Sequence, residues 1–65
     1  MAFETRLNGK KVTIHTNGDV YVNASYTDIR QWSADPKRWS NDSGRELTEY
    51  KGKSLEEVLT IKGYI

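Results

Sequence analysis

The twelve residues RQWSADPKRWSN, positions 30 to 41, hold two tryptophans, two arginines, a lysine and an asparagine. Arg and Trp are over-represented where protein surfaces bind one another, and a basic-aromatic mixture also suits phosphate contact combined with base stacking. A short chain has little apolar volume to spare, so one tryptophan is needed inside. Trp32, three residues after Ile29, takes that place, and Trp39 is expected to stay partly exposed as an anchor. Arg30, Lys37, Arg38, Trp39 and Asn41 are therefore the candidate protein-binding residues.

The single histidine, His15, stands close to Asp19. A carboxylate that orients an imidazole can make it a general base. A lone exposed pair is also what two facing strands produce without catalysis, worth a few tenths of a kcal/mol (~0.2–1). The chain carries no Gly-x-Ser-x-Gly elbow, HExxH or Walker A sequence, and NDSGRE lacks the ligand spacing of a calcium loop. Without cysteine there is no thiol nucleophile, thiolate zinc site or disulfide framework. The expectation is a non-enzymatic binding protein with no cofactor and no metal.

These residues need a scaffold, and VTIHTNGDVYV supplies its clearest part. A two-residue Asn17-Gly18 turn would set Val12 and Ile14 on one face and Val20 and Val22 on the other. A three-residue loop, Thr16-Asn17-Gly18, shifts the register by one and pairs Val12 with Val22 and Ile14 with Val20. Gly18 then occupies the left-handed position that a residue without Cβ prefers. Upstream, a two-residue Asn8-Gly9 turn pairs Leu7 with Lys10, Thr5 with Val12 and Phe3 with Ile14.

The result is a three-stranded antiparallel meander with Lys10 to Thr16 in the centre. Phe3, Leu7, Val12, Ile14, Val20 and Val22 share the core face. The other face carries Glu4, Arg6, Lys11, Thr13, His15, Asp19, Tyr21 and Asn23. Of these, Arg6, Lys11, Thr13, His15, Tyr21 and Asn23 are donors and aromatic surface suited to nucleic acid, as in three-stranded sheets that enter a DNA groove.

GDVYVNAS at this junction is similar to the Gly-Tyr-Val-Asn-Ala-Thr opening of KilA-N domains, which bind DNA. Gly18, Val22, Asn23 and Ala24 match, Ser25 replaces the threonine, and Asp28-Ile29 stands later than the family's Asp-Leu. The resemblance covers about a dozen residues of the chain and assigns it to no family.

Beyond the meander, Ser25 or Thr27 as cap and the Ile29/Trp32 spacing predict a short helix over 26–33, stopped by Asp35-Pro36. A proline-started turn carries Trp39. Residues 45–51 alternate weakly and admit a short fourth strand. KSLEEVLTIKGYI is the best-marked helix. Ser54 and Glu57 form a capping box, Leu55, Val58 and Leu59 share a face, and Gly63 is the left-handed end, with Tyr64 folding back on Leu59.

One α+β domain over residues 1–65 follows: the meander with its optional fourth strand, and a C-terminal and a short middle helix packed on one face. Ten basic and nine acidic residues leave a net charge of +1. Affinity for nucleic acid comes mainly from phosphate neutralisation, so this balance favours a protein partner over a nucleic acid. A domain this small sits near the lower limit for folding alone, which keeps homo-oligomerisation open. No stretch approaches the ~18 apolar residues of a membrane span, and none resembles a signal peptide. The expectation is a soluble cytoplasmic protein that regulates or inhibits a larger one.

Overall fold

The computed structural model describes residues 2–31 and 37–65. It is a small α+β domain: one antiparallel sheet of five strands in sequential order, β1 (Phe3–Leu7), β2 (Lys10–Ile14), β3 (Asp19–Val22), β4 (Ser25–Gln31) and β5 (Trp39–Asn41), crossed by the C-terminal helix α1 (Leu55–Lys62).

Both hairpins have the register read from the valines. Phe3 faces Ile14 and Leu7 faces Lys10 across the Asn8-Gly9 turn, while Val12 faces Val22 and Ile14 faces Val20. In the longer loop the Gly18 amide donates to the His15 carbonyl (2.9 Å) and the His15 amide to Asp19 (2.8 Å), with Gly18 at φ +96°. This is the turn that reconciles an odd loop length with a one-sided apolar face.

The expected helix over 26–33 is replaced by strand over its described part. Asn23 and Ala24 both have positive φ, 50° and 67°, and turn the chain back so that Ser25 pairs with Val22 and Tyr26 with Tyr21. Thr27 and Ile29, two apart, are then both buried. The Ile29/Trp32 spacing that suggested a helix lost to the hairpin and to a Tyr-Thr-Ile content that fits a pleated surface. The expected burial of Trp32 and the stop at Pro36 lie outside the described residues.

Between Asp19 and Tyr21 the β3/β4 ladder is irregular. There the Thr27 hydroxyl donates to the Val20 carbonyl (2.7 Å), and the Asp28 amide donates to the Tyr64 hydroxyl (3.2 Å). Side chains thus satisfy backbone groups that the bulge withdraws from the ladder.

Residues 45–51 form no strand. Glu46 makes a single bridge to Ser40, and Thr48–Tyr50 is a 3₁₀ turn. The bridge and the Leu47 amide, bonded to the Trp39 carbonyl at 2.7 Å, cover the open side of β5.

Two apolar clusters fill the space under α1. Val12, Val20 and Val22 surround Leu59, and Ile29, Trp39 and Tyr50 surround Val58, while Leu55 and Tyr64 touch both. Trp39 is 2 % exposed and its indole N–H donates to the Lys53 carbonyl (3.3 Å), so the expected partly exposed anchor is a core residue. A core this small uses its largest aromatic as filler. Phe3 departs in the other direction: it lies on the core face but is 63 % exposed at the sheet's end.

The helix is delimited as its sequence required. The Ser54 hydroxyl accepts the Glu57 amide (3.2 Å), and the Glu57 carboxylate accepts the Ser54 amide. Gly63 closes the C-terminus at φ +86°, its amide bonded to Thr60 and the Tyr64 amide to Leu59. Among the described residues no helix is long and apolar enough to cross a membrane.

Candidate functional site

The sheet face opposite α1 carries three cross-strand rows. Arg6 pairs with Lys11, whose carbonyl and amide bond the amide and side-chain oxygen of Asn23. Asn23 therefore belongs to the β3/β4 turn rather than to a strand. In the middle row Glu4, Thr13, Tyr21 and Tyr26 follow one another from β1 to β4. At the far end His15, Asp19 and Arg30 follow from the loop to β4. Direct cross-strand neighbours share a face, so the meander alone collects these side chains.

The aromatic groups of the last two rows meet. The His15 and Tyr21 rings lie 4.8 Å apart at 69°, and the Tyr21 and Tyr26 rings 5.4 Å apart at 65°. Edge-to-face contact of this kind holds the rings in one arrangement, adding about 0.5–1.5 kcal/mol per pair beyond burial. Tyr26 remains 46 % exposed. Desolvation, then the Asp19 and Asp42 carboxylates, push its phenol above the ordinary value of 10.0, with Arg30 opposing. Tyr26 is thus a neutral donor at physiological pH.

Charges on this face are largely matched locally. Asp19 takes the Arg30 guanidinium at 2.9 Å and the Asn17 side-chain nitrogen at 3.2 Å, and Arg30 also reaches the Asn17 carbonyl (3.1 Å). The Asp19 carboxylate is thereby engaged by Arg30 and Asn17, while the imidazole lies against Tyr21. Lys11 and Glu4 approach to 3.9 Å, both well exposed, a pairing of little stability.

The basic-aromatic segment does not form one patch. Arg30 belongs to the outer face, Trp39 to the core, and Arg38 is forked onto Glu46 at 3.0 and 3.1 Å. The Asn41 side-chain oxygen accepts the Ser43 and Arg45 amides at 3.2 and 3.0 Å and so builds a turn, while Lys37 is exposed beside β5. Tyr26 was missed in the sequence because its segment was read as helix. The signal was the alternation of Tyr26, Asp28 and Arg30 with Thr27 and Ile29.

A second polar cluster ties the helix end to the sheet. The Tyr64 hydroxyl donates to the Asp28 carboxylate (2.7 Å), and Lys62 reaches its other oxygen (3.1 Å). Burial raises the Asp28 carboxyl, but the Tyr64 and Lys62 hydrogen bonds and the Lys62 charge together outweigh it and hold the group below 3.8. For Lys62 the Asp28 hydrogen bond dominates, raising it against an opposing desolvation. Among the described residues no group of three His, Asp or Glu side chains converges as metal ligands.

No family model matches the chain, and no curated protein or solved structure matches it either, so the site must be read from its own chemistry.

Proposed function

We propose that this chain is a non-enzymatic binding module that engages a protein partner through the sheet face opposite α1. His15, Tyr21 and Tyr26 form the contact strip, with Arg30 beside it. The observation that supports this is the strip itself: three rings, from the loop between β2 and β3, from β3 and from β4, stand in edge contact on a solvent-facing sheet, and Tyr26 at its end is 46 % exposed. Tyr and Arg are the residue types that carry interface energy, and rings already fixed by one another lose little freedom on binding. With Trp39 in the core, the anchor moves from the β5 segment to this face.

A nucleic-acid ligand is the competing reading, favoured by the adjacent Arg6 and Lys11. Against it, Glu4 and Asp19 lie among the cations, and each is near a basic partner. Few charges remain for the phosphate neutralisation that dominates such affinity.

The test compares variants on both ligands. Capture from native extract treated with nuclease should yield a stoichiometric protein, with binding weakened by about 2 kcal/mol in Tyr26→Ala and little changed in Arg6→Ala or Lys11→Ala. Duplex and single-stranded DNA should be titrated beside it at two salt concentrations. Tight, salt-steep DNA binding that needs Arg6 and Lys11 but ignores Tyr26 would overturn the proposal.

A further inference from the structure

The two ends of the sheet are treated differently. At β5 the Ser40–Glu46 bridge and the Leu47 amide close the edge, whereas β1 pairs only with β2 among the described residues. Which backbone groups β1 offers follows from the turn. Leu7 and Lys10 flank a two-residue loop and form the hydrogen-bonded pair, so Phe3, Thr5 and Leu7 direct their amides and carbonyls to β2. The neighbouring hairpin has the same phase, because Lys11 and His15 direct theirs to β3. Glu4 and Arg6 therefore point their backbone groups outward, at the open edge.

From this geometry we infer that β1 pairs antiparallel with β1 of a second copy of this chain, about a two-fold axis at Thr5, joining the two sheets into one. The charges select that register. Strand phase allows only shifts of two residues. One such shift sets Glu4 against Glu4 of the second copy, and the opposite shift sets Arg6 against Arg6. Only the register centred on Thr5 sets Glu4 against Arg6 and Arg6 against Glu4, each pair exchanging both backbone hydrogen bonds.

Side chains on both faces agree with that register. On the outer face Arg6 lies directly across from Lys11, a like-charge neighbour. Glu4 of the second copy would supply the missing carboxylate on its other side. On the core face Phe3, 63 % exposed, comes opposite the half-buried Leu7 of the second copy as a close, non-hydrogen-bonded pair. Charged residues on an edge strand usually repel a chance partner. Here their order makes the strand complementary to itself.

Sedimentation across a concentration series tests this, with amide NMR spectra showing that each variant is folded. The wild-type mass should rise from 7.5 kDa toward twice that value. E4R alone and R6E alone each face like charges with like, and self-association of each should weaken by about tenfold or more. An equimolar mixture of the two should associate again, because only the mixed pair has opposite charges at both positions, and E4R/R6E in one chain should associate like the wild type. A wild type that stays at 7.5 kDa up to about 1 mM would overturn the inference. So would single variants that associate as well as the wild type, or a mixture that does not recover.

Discussion

Replacing Gly18 with alanine should destabilise the fold for two separable reasons, both visible around one atom. The residue has φ +96°, and a Cβ placed on it would lie 2.2 Å from the carbonyl oxygen of Gln31, a backbone atom that no side-chain rotation can move. The left-handed conformation costs an L-residue about 1–2 kcal/mol. Relieving the overlap separates the loop from the end of β4 and strains the Gln31 amide bond to the Gly18 carbonyl, 3.0 Å long and worth about 1 kcal/mol net. The total is about 2–3 kcal/mol. A domain of this length has roughly 3–10 kcal/mol in all. Thermal denaturation followed by circular dichroism should show the midpoint falling by about 10–20 °C. Gly9→Ala is the control: its φ is +77° and nothing lies within 4 Å of the added Cβ, so it should cost only the conformational part, about 1–2 kcal/mol, and less than Gly18→Ala. Equal losses in the two variants would refute the close approach of the loop to Gln31.

The helix cap and the helix core should separate by size of effect in chemical denaturation. Ser54→Ala should cost about 1 kcal/mol through loss of the capping box, and Leu59→Ala, at a fully buried position, about 2–5 kcal/mol. The Asp28 cluster gives a pH dependence. Its carboxyl lies below 3.8 in the folded state, so its stabilisation is fully present above the unfolded value and is lost as pH falls through the folded one. Denaturation profiles should lose that acid-sensitive component in Asp28→Asn, while Tyr64→Phe should cost about 1–3 kcal/mol at neutral pH by leaving the Asp28 amide without its acceptor.

Legibility of the fold in the sequence followed how local each determinant was. The first two hairpins could be read because burial and turn length constrained each other: only one loop length kept Val12, Val20 and Val22 together. The C-terminal helix was legible because Ser54, Glu57 and Gly63 mark both of its ends by local hydrogen bonding. Strand β4 was not, because its turn uses Ala24 at positive φ, where glycine or asparagine would have announced it. Ile29 and Trp32 at helical spacing then pointed the wrong way. β5 is three residues long and exists through pairing with β4 on one side and Glu46 on the other, contacts with no signature in its own residues.

The outer face shared this division. Its Arg6/Lys11 and Thr13/Tyr21 pairs followed from the two legible hairpins, whereas Tyr26 and the Asp19–Arg30 pair depended on β4. Trp39 was misplaced because its burial depends on β5 pairing with β4, which its own segment does not announce.

The binding face can be tested most directly by placing a photo-crosslinking amino acid at one position on each side of the domain. Tyr26 on the outer sheet face and Ile61 on the helix are 46 % and 56 % exposed, so both should tolerate p-benzoylphenylalanine as the probe, whose first ring keeps the place of the Tyr26 ring in the strip. In native extract treated with nuclease, the probe at position 26 should give one dominant protein adduct that disappears when Tyr21→Ala is added, and the probe at position 61 should not give it. An adduct formed from position 61 and not from 26, or one that vanishes with nuclease, would contradict protein binding through the sheet face.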